Sequence, residues 1–92
     1  MHILRIEHSV VDYDAWKEAF DGDPIGRKQS GVRRHRVMRA VEDPDYVMID
    51  LEFQSASGAQ AAHARLRELW SRVTVAQDPR ARIVEVVDSA DY

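Results

Sequence analysis

Two histidines stand where the surrounding pattern calls for apolar side chains. Across Ile3 to Val10, period-two alternation puts His8 in register with Leu4, Ile6 and Val10. Beyond Ser55, His63 falls among Ala59, Ala62, Leu66 and Trp70 at helical spacing. Imidazoles have a reference pKa of about 6.5, so two of them in one apolar space can serve as acid and base near neutral pH. Tyr13, Trp16 and Phe20 recur at i, i+3 and i+7 and, with Trp70, supply aromatic walls. A largely apolar space with a few converging polar groups describes a small-molecule site. His8 and His63 are therefore the candidate catalytic residues, and Tyr13, Trp16 and Trp70 candidate substrate-binding residues. The competing reading is that each histidine bonds a nearby backbone or carboxylate group and completes the packing.

A run of arginines, Arg33, Arg34, Arg36 and Arg39, offers the cation such a site could use. If Val41 pairs with Tyr46 across the turn Glu42-Asp43-Pro44-Asp45, Arg36 lies opposite Leu51 on the helix-facing side. His35 then faces Glu52 on the other side. Arg36 is on this register a candidate substrate-binding residue for a carboxylate or phenolate. Otherwise these arginines form ion pairs with Asp50, Glu52 and Glu7. A slip of one residue exchanges the two faces.

The elements that must position these residues follow from the same periodicities. Ile3 to Val10 predicts a strand, and Asp12 caps a helix over Tyr13 to Phe20 that ends in Asp21-Gly22-Asp23-Pro24. Val32 to Val41 and Tyr46 to Phe53 predict an antiparallel hairpin. Ser55 or Ser57 caps a second helix with the stripe Ala59, Ala62, Leu66, Leu69, Trp70 and Val73, reaching about Val75. Asp78-Pro79 stops it, Arg82 to Val87 is a last strand, and Asp88 to Tyr92 is an acidic tail. The order β-α-β-β-α-β predicts an α+β, ferredoxin-like fold, with a four-stranded antiparallel sheet carrying two helices on one face. The whole chain, 1–92, forms one domain on this reading. The face opposite the helices exposes Ile3, Tyr46 and Met48 beside charged residues, which predicts a homodimer joined sheet to sheet.

The opening HSVVDYDAWKEAFD, the hairpin GVRRHRVMRAVEDPDYVMIDLEF and the alanine-rich second helix resemble the dimeric α/β-barrel superfamily, in particular its antibiotic biosynthesis monooxygenase-like group. The resemblance covers nearly the whole chain and lies in architecture and spacing. It implies cofactor-free oxygenation or cyclisation of a planar aromatic or polyketide-type substrate, which supplies the electrons once deprotonated. His8 or His63 would be the base, Arg36 would hold the enolate or phenolate, and Trp16 and Trp70 would stack on the ring. Members that cleave haem use a first-strand asparagine, and this chain contains no asparagine. No cofactor is expected. The alternative is a non-catalytic ligand-binding or structural dimer whose large side chains fill the space.

Composition bounds the remaining classes. A chain of 92 residues with net charge −3 has no bulk attraction for nucleic acid or anionic lipid. An RNA-binding sheet would present several stacking aromatics, whereas this one offers Tyr46 among carboxylates. The absence of cysteine removes thiolate metal sites and cysteine nucleophiles. Asp21-Gly22-Asp23 opens like a calcium loop, but Ile25 and Val32 occupy ligand positions, so no metal site is expected. Arg5 and Glu7 interrupt the first apolar run and no stretch is long enough to span a bilayer, which predicts a cytoplasmic protein.

Overall fold

The alternation that opens the chain becomes a strand with two unlike faces. In β1 (His2–Val10), Leu4, Ile6, His8 and Val10 are buried on one side, while Arg5 is exposed on the other. The computed structural model, which describes residues 1–72 and 76–92, continues with α1 (Tyr13–Asp21), β2 (Arg34–Arg39), β3 (Tyr46–Phe53), α2 (Ala56–Trp70) and β4 (Ala76–Glu85). The strands pair antiparallel in the order β2-β3-β1-β4, giving the ferredoxin-like α+β arrangement. Both helices pack on the face that carries Leu4, Ile6, Val47, Ile49, Leu51 and Phe53.

Helix starts are set by side-chain caps. Asp12 accepts the Ala15 amide at 3.0 Å, and Ser55 rather than Ser57 accepts that of Gly58 at 3.2 Å. Ala59 and Ala62 are almost wholly buried, and their small size brings α2 close to the sheet. The helix closes at Trp70 with Ser71 as C-cap, and its expected continuation through Val73 to Val75 lies outside the described residues.

Strand bounds depart from expectation in β2, which spans Arg34–Arg39 rather than Val32 to Val41, and in β4, which ends at Glu85 rather than Val87. Strand β4 begins at Ala76, well before the expected Arg82, and runs through Asp78-Pro79. Pro79 is tolerated because β4 is an edge strand, where one missing amide leaves no neighbour unpaired. The β1–β4 register shifts between Glu7 and Ser9, so that Asp78, with φ of 52°, and Pro79 together stand opposite His8. The hairpin connection also holds one residue more than expected. Ala40 donates to the Tyr46 carbonyl at 3.0 Å, and Asp43 organises the turn by accepting the Asp45 amide on its side chain. Val41 is thereby expelled to full exposure.

That extra residue shifts the register by one. His35 pairs with Leu51 on the helix side, and Arg36 pairs with Asp50 on the open face. Arg36 therefore does not face the helices, contrary to its expected position, and the ion-pair alternative describes it. Arg5 donates to both oxygens of Asp50 at 2.8 Å, and Arg36 donates to one of them at 3.1 Å. Hydrogen bonds from Arg5, with Arg36 adding to them, hold the Asp50 carboxyl below its ordinary range against the opposing effect of burial. Arg34 likewise covers Glu52 at 2.6 Å, and the Tyr46 hydroxyl donates to Glu7 at 2.7 Å.

Asp50→Asn should cost about 2 kcal/mol at neutral pH, a value reduced by the partial exposure of both arginines. Because the folded carboxyl titrates below the unfolded value of about 4, its contribution is present above that pH and lost as pH falls through the folded pKa. Urea denaturation of both proteins at pH 7 and near pH 3 checks this; equal stability at pH 7 would refute it.

Candidate functional site

A cavity of about 190 Å³ lies between the sheet and the two helices. Ile6 and His8 of β1 and Ile49 and Leu51 of β3 form its floor. Trp16 and Phe20 of α1 face Leu66, Leu69 and Trp70 of α2, and Ile25 and Arg27 come from the connection after α1. The Asp12 cap sets the rotation of α1, so that Trp16 falls over His8 with ring centroids 5.9 Å apart, edge to face. Trp16 then stacks on Phe20 at 5.2 Å. The walls are almost entirely apolar, and His8 and Arg27 are the ionisable side chains among them.

His8 is buried, with its Nδ1 3.1 Å from the Ser9 carbonyl. A carbonyl can only accept, so this bond places the proton on Nδ1 and leaves Nε2 with its lone pair. Burial lowers the His8 pKa, and the bond to Ser9 opposes that only in part. At neutral pH the ring is a neutral base in an apolar wall.

Arg27 is held by the loop that presents it. Asp23, at φ 56°, accepts the Arg27 amide at 2.8 Å, and Arg27 Nη1 donates to the Phe20 carbonyl at 2.8 Å. Its guanidinium carbon lies 4.0 Å from the centre of the Phe20 ring. Arg27 lies between breakers in the sequence, where no period assigns a side chain its direction. The one available signal was the spacing from Asp23 to Arg27, which lets a single carboxylate meet both the amide and the side chain.

The other expected site residues divide. Trp16 and Trp70 line the cavity with His8. Tyr13 does not; it stands 6.0 Å from Trp16, with the Arg39 guanidinium 4.1 Å from its ring centre. His63 does not share the cavity with His8, because it is one helical step past Ala62 and only half-buried. It meets the edge of Trp70 at 6.5 Å, and burial, followed by repulsion from Arg67, lowers its pKa. Arg36 belongs to the opposite face of the sheet. Its neighbour His35 takes the helix-facing place and meets the edge of Phe20 at 5.2 Å. Among the described residues, no group of three or more His, Asp or Glu side chains converges as a metal site would require.

Solved structures share this fold over nearly their whole lengths. A dimeric ferredoxin-like protein from an uncultured marine organism matches with a TM-score of 0.72 and 14% identity, covering 97% of each chain. A protein named as an antibiotic biosynthesis monooxygenase from Nitrosomonas europaea gives 0.70 and 18%, covering 94% of this chain and 89% of its own. Another so named, from Deinococcus radiodurans, gives 0.71 and 13% with 100% and 98% covered. The expected likeness to the monooxygenase-like group is thus present in the architecture, and at these identities it defines the fold. No family model matches the chain. No curated protein sequence matches it either.

The lowered His8 pKa has a direct consequence for stability. The unfolded chain binds this proton at about pH 6.5 and the folded chain only at lower pH, so stability is full above 6.5 and falls as pH drops below it. His8→Leu should remove much of the loss between pH 7.5 and 5.5, leaving the part due to His63. Chemical denaturation at both pH values measures it; an unchanged loss in the variant would exclude His8 as its source.

Proposed function

We propose that the cavity takes a small planar aromatic substrate and that His8 is the base that removes its proton, in cofactor-free oxygenation or cyclisation. The observation that carries this reading is the neutral imidazole of His8 in an apolar wall beside Trp16, with Nε2 left as an acceptor. Deprotonation of a phenol or enol makes an electron-rich anion, and the low local dielectric strengthens any cation facing it. Arg27 takes the role that sequence assigned to Arg36. Trp16 and Trp70 stack on or bracket the ring, Tyr13 supports Trp16, and His63 positions Trp70. Relatives in fold that are named as monooxygenases support the reading.

Size narrows the substrate. An engineered apolar cavity of about 150 Å³ accepts benzene, so 190 Å³ suits one ring or a fused pair, and a larger polyketide would have to extend out of it. The same figure lies below the roughly 300–1,000 Å³ of most ligand pockets, which keeps a second reading, a ligand-binding or structural dimer without turnover.

Oxygen uptake with dihydroxynaphthalenes, corrected for the uncatalysed rate, tests the base. His8→Ala should lower turnover by about 10²–10⁴-fold while the variant still melts cooperatively. Full activity in the variant would remove His8 from the mechanism, and ring binding without turnover in the native protein would favour the binding module.

We further propose that the domain 1–92 works as a homodimer joined through the open sheet face. The open face carries Ile3, Met38 and Met48, and two relatives in fold are named as dimeric. Light scattering should give twice the chain mass, with Met48→Lys reducing it to one chain; a monomeric native protein at micromolar concentration would contradict this.

A further inference from the structure

Phe20 lines the apolar cavity and is touched by two residues of a second, unlike space. Trp16 stacks against it from the apolar cavity, while Arg27 covers its ring and His35 meets its edge. Arg27 also lines a second, open groove of about 540 Å³, together with Lys28, Arg33, Arg34 and His35. Among the described residues, no carboxylate lines this groove, although the chain as a whole carries a net charge of −3.

Some of this charge is already matched. Arg34 is paired with Glu52, and Arg27 lies 3.5 Å from Asp23. Arg33 donates instead to a neutral acceptor, the Gln54 side-chain carbonyl, at 2.8 Å. Lys28 is exposed, and neither it nor Arg33 has a carboxylate within 4.0 Å among the described residues.

The groove wall is built rather than loose. The Val32 amide donates to the Arg27 carbonyl at 3.0 Å and that of Ser30 to Gly26 at 2.9 Å. Gly31 takes a φ of 93° that a side chain would strain, and Arg65 of α2 fastens Ser30 at 2.9 Å. Arg33 continues the β2 ladder through its amide to the Glu52 carbonyl at 2.7 Å. Lys28 and Arg33, without a carboxylate partner among the described residues, thus line a groove that shares Arg27 with the apolar cavity.

We propose that the ligand of the cavity is an aromatic acid, its ring between Trp16 and Trp70 and its carboxylate in the groove, held by Lys28 and Arg33. The inference rests on the reading of the cavity as a ring-binding site and is independent of whether His8 performs chemistry. Charge-assisted hydrogen bonds orient the ring, because the cations without a carboxylate partner among the described residues lie in the groove. Arg27, held by Asp23 and the Phe20 carbonyl, faces the reacting oxygen in the cavity and leaves the carboxylate to the other two.

Isothermal titration of the full chain with 4-propylbenzoate and with the neutral 4-propylbenzyl alcohol tests the inference. The benzoate should bind at least about tenfold more tightly at low salt, and raising the salt from roughly 0.02 to 0.2 M should weaken the benzoate alone. The exposed double variant Lys28→Ala/Arg33→Ala should reduce the benzoate to the affinity of the alcohol and leave the alcohol unchanged. If the alcohol binds and the benzoate binds no tighter, the groove assignment is wrong and the ring-binding cavity stands. If the benzoate is preferred equally by the variant, the anion is held elsewhere and the assignment is also wrong. If neither compound binds, both the assignment and the ring-binding reading fall.

Discussion

Asp50 is gripped from both neighbouring strands, and this arrangement fixes where every other side chain of the sheet points. The carboxylate lies on β3, Arg5 reaches it from β1, and Arg36 reaches it from β2. Arg5 and Arg36 are its direct cross-strand partners, so a slip of either neighbour by one residue would leave a nearly inaccessible carboxylate without one of its cations. Side chains alternate strictly, so the same slip would turn Leu4, Ile6 and His8, or His35 and Val37, to the opposite face. A charge cluster on the open face thereby determines the contents of the cavity on the other.

This coupling explains which parts of the site could be read in the sequence. His8 was legible because Leu4, Ile6 and Val10 define its face by a period of two residues, and a polar residue in such a series stands out. Trp16 and Phe20 were legible through helical spacing, and the β-α-β-β-α-β order followed from the same two periods. Arg36 was misassigned through a single residue, Val41, counted into the strand although it belongs to the turn. Turn length is governed by the Asx bond of Asp43 and the backbone bonds around it, which leave no mark on hydrophobic patterning. The two strands were right and their mutual register was not.

His63 and Arg27 show two other limits. The apolar stripe of α2 is defined by Ala59, Ala62 and Leu66, and His63 sits about 100° around from Ala62. Spacing alone could not separate the centre of the stripe from its edge, because alanines at positions such as 61 and 64 make much of this helix apolar. Arg27 belongs to a connection whose path depends on left-handed residues at Asp23, Gly26 and Gly31. Directions of side chains in such a segment come from hydrogen bonds, not from a period. In β4 the reverse error arose: Asp78-Pro79 looked like a terminator, yet an edge strand absorbs it as an irregularity opposite His8.

If His8 is the base proposed for the cavity, the burial that keeps it neutral also restricts what it can deprotonate. Removing the ring from water keeps it neutral at pH 7, but a lowered pKa makes it a weaker base than a solvated imidazole. Proton transfer from an ordinary phenol to such a group is uphill unless the anion is stabilised as it forms. Solvent does this poorly in walls made of Trp16, Ile49, Leu51 and Leu66, so the stabilisation has to come from a fixed positive group. Arg27 is the one cation lining the cavity among the described residues, and bonds to Asp23 and Phe20 hold its backbone and side chain in place. In the proposed reaction a buried histidine and a tethered arginine are therefore complementary requirements. The first keeps a proton acceptor free near neutral pH, and the second supplies the field without which that acceptor is too weak to be useful.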